Sequence, residues 1–302
     1  MKKARVLIVF VCVMAAVNFA SADTIRGIEM DFVTIGNAGN AGELSGKGAG
    51  GLGPDRICGA VGYEYRIGKY EVTNAQWDAF TAVAGAPTGN DSGYIYTSLF
   101  TGAQQPTNNL SWYEATQFCN YLTSGDKSKG AYQFSGNNTN PGYFLGINRD
   151  AAISSYGITY VIPTEDEWYK AAYFKPNGSG YSLYANGANT APIAGVDSLY
   201  NGALGGLPWN VGTGTQEQNG TFDMMGNLWE WNETIFDGLF RSTRGGAYHH
   251  GPGAIVVSSS YRTSFDQRDE SALVGFRIAE IPEPATLLLL GFGMVMLRKK
   301  TA

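Results

Sequence analysis

Forty-one glycines are scattered through this chain of 302 residues, and they follow no three-residue period. The missing period excludes a collagen-like rod. Glycine weakens the interior of helices and strands, so regular elements here must be short and joined by long ordered loops. The loops are not empty of core-forming residues: 44% of the chain is hydrophobic and 13% aromatic. Such a composition argues against disorder, which needs high charge and few aromatics. Charged residues make up only 16%, against about 25% in an average soluble domain. The net charge of −5, with no long basic run, makes nucleic acid a poor partner.

The two ends read as addresses. Met1–Ala22 opens with Lys2, Lys3 and Arg5, continues through a short apolar run, and closes on Ala20-Ser21-Ala22. Small residues at those closing positions are what signal peptidase reads, so cleavage is expected between Ala22 and Asp23. A permanent N-terminal anchor is disfavoured because the apolar run is short for a membrane span. The other end reads Pro282-Glu283-Pro284, then an apolar stretch from Ala285 to Leu297, then Arg298-Lys299-Lys300. The basic cluster would keep that end cytoplasmic. Triplet, hydrophobic segment and basic tail, in that order, resemble the PEP-CTERM sorting signal of Gram-negative bacteria. The resemblance implies a transient C-terminal transmembrane anchor over 282–302, recognition by an exosortase, loss of the tail, and delivery to the cell surface or extracellular matrix. Length and charge alone would equally suit an ordinary single-span anchor.

With Cys12 in the leader, Cys58 and Cys119 remain. An oxidising compartment permits a disulfide between them. The helical spacing of apolar residues around Cys119 reads instead as a buried free thiol. Neither pair spacing supports a cysteine zinc site.

Residues 23–281 read as one domain. Ile28–Ile35 and Tyr63–Tyr70 alternate as strands, with Gly36–Gly62 a surface loop between them. A first helix over Ala75–Val83 is capped by Thr73 or Asn74. A second begins after Ser111, with Glu114 completing a capping box, and a third runs from Thr164 to about Tyr173, with Glu167 at the box position. Lys175–Gly220 lacks periodicity, as stretches that bind something or are pinned by ions often do. Arg241–Tyr248, Ala254–Arg262 and Gly275–Ala279 read as short strands. The class is α+β with low regular secondary structure.

Several segments then occur in a telling order: Tyr70-Glu71-Val72-Thr73-Asn74, Leu110-Ser111-Trp112-Tyr113-Glu114-Ala115, Ile162-Pro163-Thr164-Glu165-Asp166-Glu167-Trp168, Asp223-Met224-Met225-Gly226-Asn227-Leu228-Trp229-Glu230-Trp231, Arg244-Gly245-Gly246-Ala247-Tyr248 and Gly275-Phe276-Arg277. Together they resemble the formylglycine-generating enzyme, or sulfatase-modifying factor, family over about residues 28–280. The resemblance implies a variant C-type-lectin-like fold. It also implies calcium as a cofactor, held at the positions of Asp223, Gly226, Leu228 and Glu230. Carboxylates and carbonyls on a glycine turn suit such a hard cation, although Glu230 could equally cap loop amides. Arg244 and Arg277, interior to glycine-flanked strands, are expected to pair with Glu71, Glu165 or Glu167 and lock helix against sheet.

The oxidases of this family hold copper through two thiolates, because soft sulfur selects Cu(I). In that register the chain carries His250 and Ile255, and no cysteine lies between Tyr248 and Arg262. Copper is therefore not expected. His249 and His250 are the only histidines and point to opposite faces if extended, so at most His250 is a weak metal candidate. The expectation is an exported, exosortase-processed surface or matrix protein whose domain is a binding or structural module and not an enzyme, with exopolysaccharide or cell-surface glycan as partner. Loops 85–108 and 175–220 would form its binding surface. The alternative is a metal-dependent oxidoreductase of the sulfatase-modifying factor or sulfoxide synthase kind with a divergent site.

Overall fold

A computed structural model of the chain describes residues 22–88, 100–249, 251 and 253–281. Along the chain these residues form β1 (Asp23–Ile25), β2 (Ile28–Met30), β3 (Phe32–Ile35), β4 (Glu43–Ser45), β5 (Arg56–Cys58), β6 (Tyr65–Gly68), α1 (Asn74–Ala84) and α2 (Trp112–Ser124). There follow β7 (Tyr132–Phe134), β8 (Phe144–Ile147), α3 (Arg149–Tyr156), β9 (Thr159–Val161) and α4 (Glu165–Tyr173). The C-terminal part supplies β10 (Trp229–Asp237), β11 (Phe240–Arg244), β12 (Thr263–Asp266), β13 (Val274–Gly275) and β14 (Ala279–Ile281). Residues 1–21 of the leader, the segment holding Pro282, Glu283, Pro284 and the apolar tail, and His250 lie outside the described residues, whereas Ala22 and Asp23 lie within them.

The elements are as short as the glycine content requires, and their ends are chemically marked. Thr73, Ser111 and Thr164 each accept the amide of the third helical residue, while Gln76, Glu114 and Glu167 reach back to the cap amide. Three reciprocal boxes satisfy amides that would otherwise be orphaned at the helix starts. Helix α3 is the one that periodicity does not announce; Asn148 caps it by accepting from the Ala151 amide.

Two four-stranded sheets organise the core. One is antiparallel in the order β3-β6-β14-β9, and the other runs β12-β11-β10-β13. The expected strand Gly275–Ala279 is in fact the crossing between them: Val274 and Gly275 pair with β10, whereas β14 pairs with β6 and β9. Phe276, Arg277 and Ile278 lie between and are fully buried. Helices α1 and α2 pack on this crossing through aromatic rings, with Phe118 at 5.2 Å from Phe80 and 5.5 Å from Phe276. Edge-on contacts of this kind add to the burial of apolar area.

Other strand expectations also change. Ile28–Ile35 splits at Asp31, giving β2 to a hairpin with β1 and β3 to the antiparallel sheet. Gly36–Gly62 is not all loop, for it contains the β4–β5 hairpin. Arg241–Tyr248 is strand only to Arg244, where Gly245 and Gly246 take φ values of 98° and 84°. Ala254–Val257 is a 3-10 turn and not a strand, and 258–262 is held by loops: Ser259 N donates to Leu183 O and Arg262 N to Leu52 O. The β-branched run Ile255-Val256-Val257 has no neighbouring strand to pair with, and context decides such cases. Lys175–Gly220, by contrast, has little regular structure, as expected.

Candidate functional site

The segment Asp223–Trp231 sits where the crossing, β10 and the long loop meet. Asp223 and Asn227 both take left-handed backbone, at φ 61° and 60°, a conformation that Asp and Asn tolerate better than most residues. Gly226 lies at φ 85°, and a Cβ there would stand 2.1 Å from the Leu199 carbonyl oxygen. The turn therefore admits glycine alone. Its amide hydrogen bonds reach outward: Asn227 N donates to Leu199 O, Gly226 N to Gly245 O, and Leu228 N to Glu71 Oε1.

Four carboxylates are buried around this turn with one guanidinium among them. Arg277 donates to both Glu230 oxygens at 2.6 Å, and Trp168 Nε1 donates to Glu230 Oε2 at 2.7 Å. Glu71 accepts from Asn227 Nδ2 and the Leu228 amide. Asp223 accepts from Trp209 Nε1 at 2.8 Å and from the Gly212 amide at 2.6 Å. Glu217 accepts from the Thr221 hydroxyl and, through burial first, is pushed up to about 8, with Arg277 opposing. Burial, reinforced by neighbouring carboxylates, likewise raises Glu71 and Asp223. One fixed cation thus serves Glu71, Glu217, Asp223 and Glu230, and the turn is short of positive charge.

Arg277 pairs with Glu230, which corrects the expected choice among Glu71, Glu165 and Glu167. Arg244 follows expectation, lying 2.7 Å from Glu165 at no solvent exposure. A residue that motif reasoning passed over, Arg262, binds the same carboxylate through two bonds of 2.7 and 2.8 Å. Burial opposes ionisation of Glu165, yet Arg244 and Arg262 hold it at about 2. Arg149, on the unforeseen α3, joins Glu167 and Glu233 at 2.8 and 3.0 Å. Glu165 is therefore the partner of buried arginines and Glu167 of a half-buried one, and both are also residues of a helix start.

The four positions expected for calcium lie on this one turn. Their donors fit a hard cation in type and charge. Among the described residues Asp223 Oδ2 and Glu230 Oε1 each carry a single donor, and a carboxylate oxygen has two lone pairs. Among the described residues no group of three or more His, Cys, Asp or Glu side chains is arranged to hold a metal, so two carboxylates would need backbone carbonyls beside them.

In the copper register, Ile255 occupies the 3-10 turn, with no thiol nearby in sequence. Cys58 and Cys119 are both free and buried. Cys58 lies against Arg244 and Arg56, at 3.3 and 3.4 Å, and Cys119 is within α2. The buried-thiol reading of Cys119 is what the structure has. His249 is exposed beside Gly206, while Tyr248 is buried edge-on against Phe100 at 5.4 Å.

A cleft of about 510 Å³ opens where Gln104 and Val211 approach Tyr70. Its walls carry Glu29, Asp31 and Gln76. Each of the two loops expected to form a binding surface thus gives it one residue.

The sulfatase-modifying factor enzyme 1-like domain matches residues 59–281, and the PEP-CTERM protein-sorting motif matches residues 280–300. A Paenibacillus barcinonensis protein named chaperone protein LppX is 26% identical over 239 residues, covering 71% of this chain and 79% of its own. Among solved structures, Treponema denticola variable protein 1 superposes with a TM-score of 0.60 at 20% identity, covering 87% of this chain and 99% of that one. PvdO from Pseudomonas aeruginosa gives 0.58 at 15% identity, over 86% and 98%. At such identities these two likenesses show the fold alone, the C-type-lectin-like variant with few helices.

Proposed function

Because the chain belongs to the sulfatase-modifying factor enzyme 1-like domain family and ends in a PEP-CTERM sorting motif, we propose that this exported, surface-sorted protein uses its domain to bind or build and not to oxidise. The observation that carries the reading is the cysteine-free segment from Tyr248 to Arg262, with Ile255 where the second thiolate would stand. Without paired sulfurs the frame has no soft site for Cu(I). The names variable protein and chaperone, borne by two similar proteins, are in keeping with binding roles.

The ligand class is a hydroxyl-rich glycan, such as matrix exopolysaccharide. The cleft beside Tyr70 offers the carboxylates of Glu29 and Asp31 and the amide of Gln104, groups that accept and donate hydrogen bonds. Signal peptidase and an exosortase act on the precursor, and the apolar tail anchors it until processing. Calcium at Asp223, Gly226, Leu228 and Glu230 relieves the shortage of positive charge in the turn. A glycan array probed with the purified protein is the test: binding is expected, and Asp31→Ala with Gln104→Ala should weaken it about tenfold or more. Incubated with copper, oxygen and a cysteine peptide derived from a sulfatase, the protein should leave the thiol intact. Formation of an aldehyde peptide overturns the reading.

A further inference from the structure

The structure brings the first and last strands of the described residues to one corner. Arg66 on β6 reaches Asp23, the first residue after the expected leader, at 2.5 Å, and Glu280 on the last strand at 2.9 Å. Ile281 stands opposite Thr159 in β9. Between Ile281 and the apolar run beginning at Ala285 only three residues intervene, Pro282, Glu283 and Pro284. Chain of that length spans on the order of 10 Å. Whatever surface surrounds Ile281 must therefore lie within that distance of the bilayer while the tail is inserted.

That surface exposes apolar side chains at its rim. Ile158, next to Thr159, is 49% exposed, and Tyr156 is 43% exposed. Tyr63, two residues before the start of β6 at Tyr65, is 41% exposed. The strip continues to Tyr143, just before β8, and Leu145 within it, both exposed, and Leu145 and Tyr156 line a groove of about 360 Å³. Exposed apolar patches mark interaction surfaces, and tyrosine favours the membrane–water interface because its ring is apolar and its tip polar. Glu64 is exposed beside Tyr63, which suits neutral headgroups better than anionic ones.

We infer that the Arg66 corner is the membrane-facing side of the unprocessed protein, with Tyr156 and Ile158 seated in the interface of the bilayer that holds the tail. Both apolar ends of the precursor leave from this corner, so leader and tail can occupy one membrane at once without unfolding the domain. The opposite end of the same sheet, where Tyr70 packs against Gly212, then points away from the bilayer and carries the cleft outward. The inference rests on the proposed reading of the tail as a membrane anchor.

The test uses the full chain reconstituted in vesicles of phosphatidylethanolamine and phosphatidylcholine. A polarity-sensitive fluorophore is attached, in a Cys12→Ser background, at Ile158→Cys and, as the far-end control, at Leu207→Cys; both sites are exposed, and Cys58 and Cys119 are buried. Flotation reports the anchor separately. Expected are co-flotation, a blue-shifted emission with severalfold lower iodide quenching at position 158, and water-like emission at position 207. A chain that floats while position 158 stays water-like overturns the membrane-facing corner and leaves the anchor standing. A chain that does not float overturns both.

Discussion

Arg277 and Glu230 are fully buried, and their bonds of 2.6 Å tie the inter-sheet crossing to β10. Removing one partner of such a pair leaves the other charge unmatched, at a cost of about 3–5 kcal/mol. Arg277→Met should cost more than Glu230→Leu, because Glu71 and Glu217 lose the same cation. Urea unfolding of the two variants checks the order. Glu165 gives a pH signature of its own. Held at about 2 in the folded protein, against about 4.3 when unfolded, it contributes stability above pH 4.3 that is lost as pH falls towards 2. Glu165→Gln should therefore lower stability at pH 7, where Arg244 and Arg262 lose their counter-charge, and flatten the acid limb of stability between those two values. Calcium titration addresses the neighbouring turn: at a hundredfold excess over its dissociation constant, calcium should raise Tm by roughly 5–10 °C, reversibly with chelator.

At the scale of elements, the capped helices are the most readily checked. Thr164→Ala removes one side of the box at α4 and should cost about 1 kcal/mol, whereas Gly226→Ala forces a Cβ into the Leu199 carbonyl and should cost considerably more. Thermal unfolding of both variants separates them. These elements were also the legible ones. Thr73, Ser111 and Thr164 announce helices through a local signal, a hydroxyl with a Gln or Glu three residues on. Helix α3 carries a weaker signal, Asn148 followed by few apolar residues, and so Arg149 and its two carboxylates went unforeseen. Strands fared worse because pairing is non-local. Nothing in Gly275–Ala279 says that its ends join different sheets, and nothing in Ala254–Arg262 says that its partners are glycine-rich loops. In the site, the arginine at Arg277 was legible as a buried partner seeker, but its choice of Glu230 depends on the crossing, which only the fold supplies.

For the whole molecule, no covalent crosslink among the described residues holds the domain together; Cys58 and Cys119 are separately buried thiols. Burial raises both above the ordinary thiol range, which slows their oxidation. The mature chain should give two thiols on denaturation and almost none while native, and its Tm should not respond to reductant. Stability at this scale comes instead from the way the ends are woven in. The last strand, β14, is not at a border of its sheet but lies between β6 and β9. A carboxypeptidase that digests inward from a freshly cut tail would meet resistance the moment it reached Ile281, since each further residue removed would unzip the centre of the sheet and expose Arg66 and Val161 together. The boundary of the released protein is thus written into its topology, and ragged trimming should stop at the same residue however the cut was made.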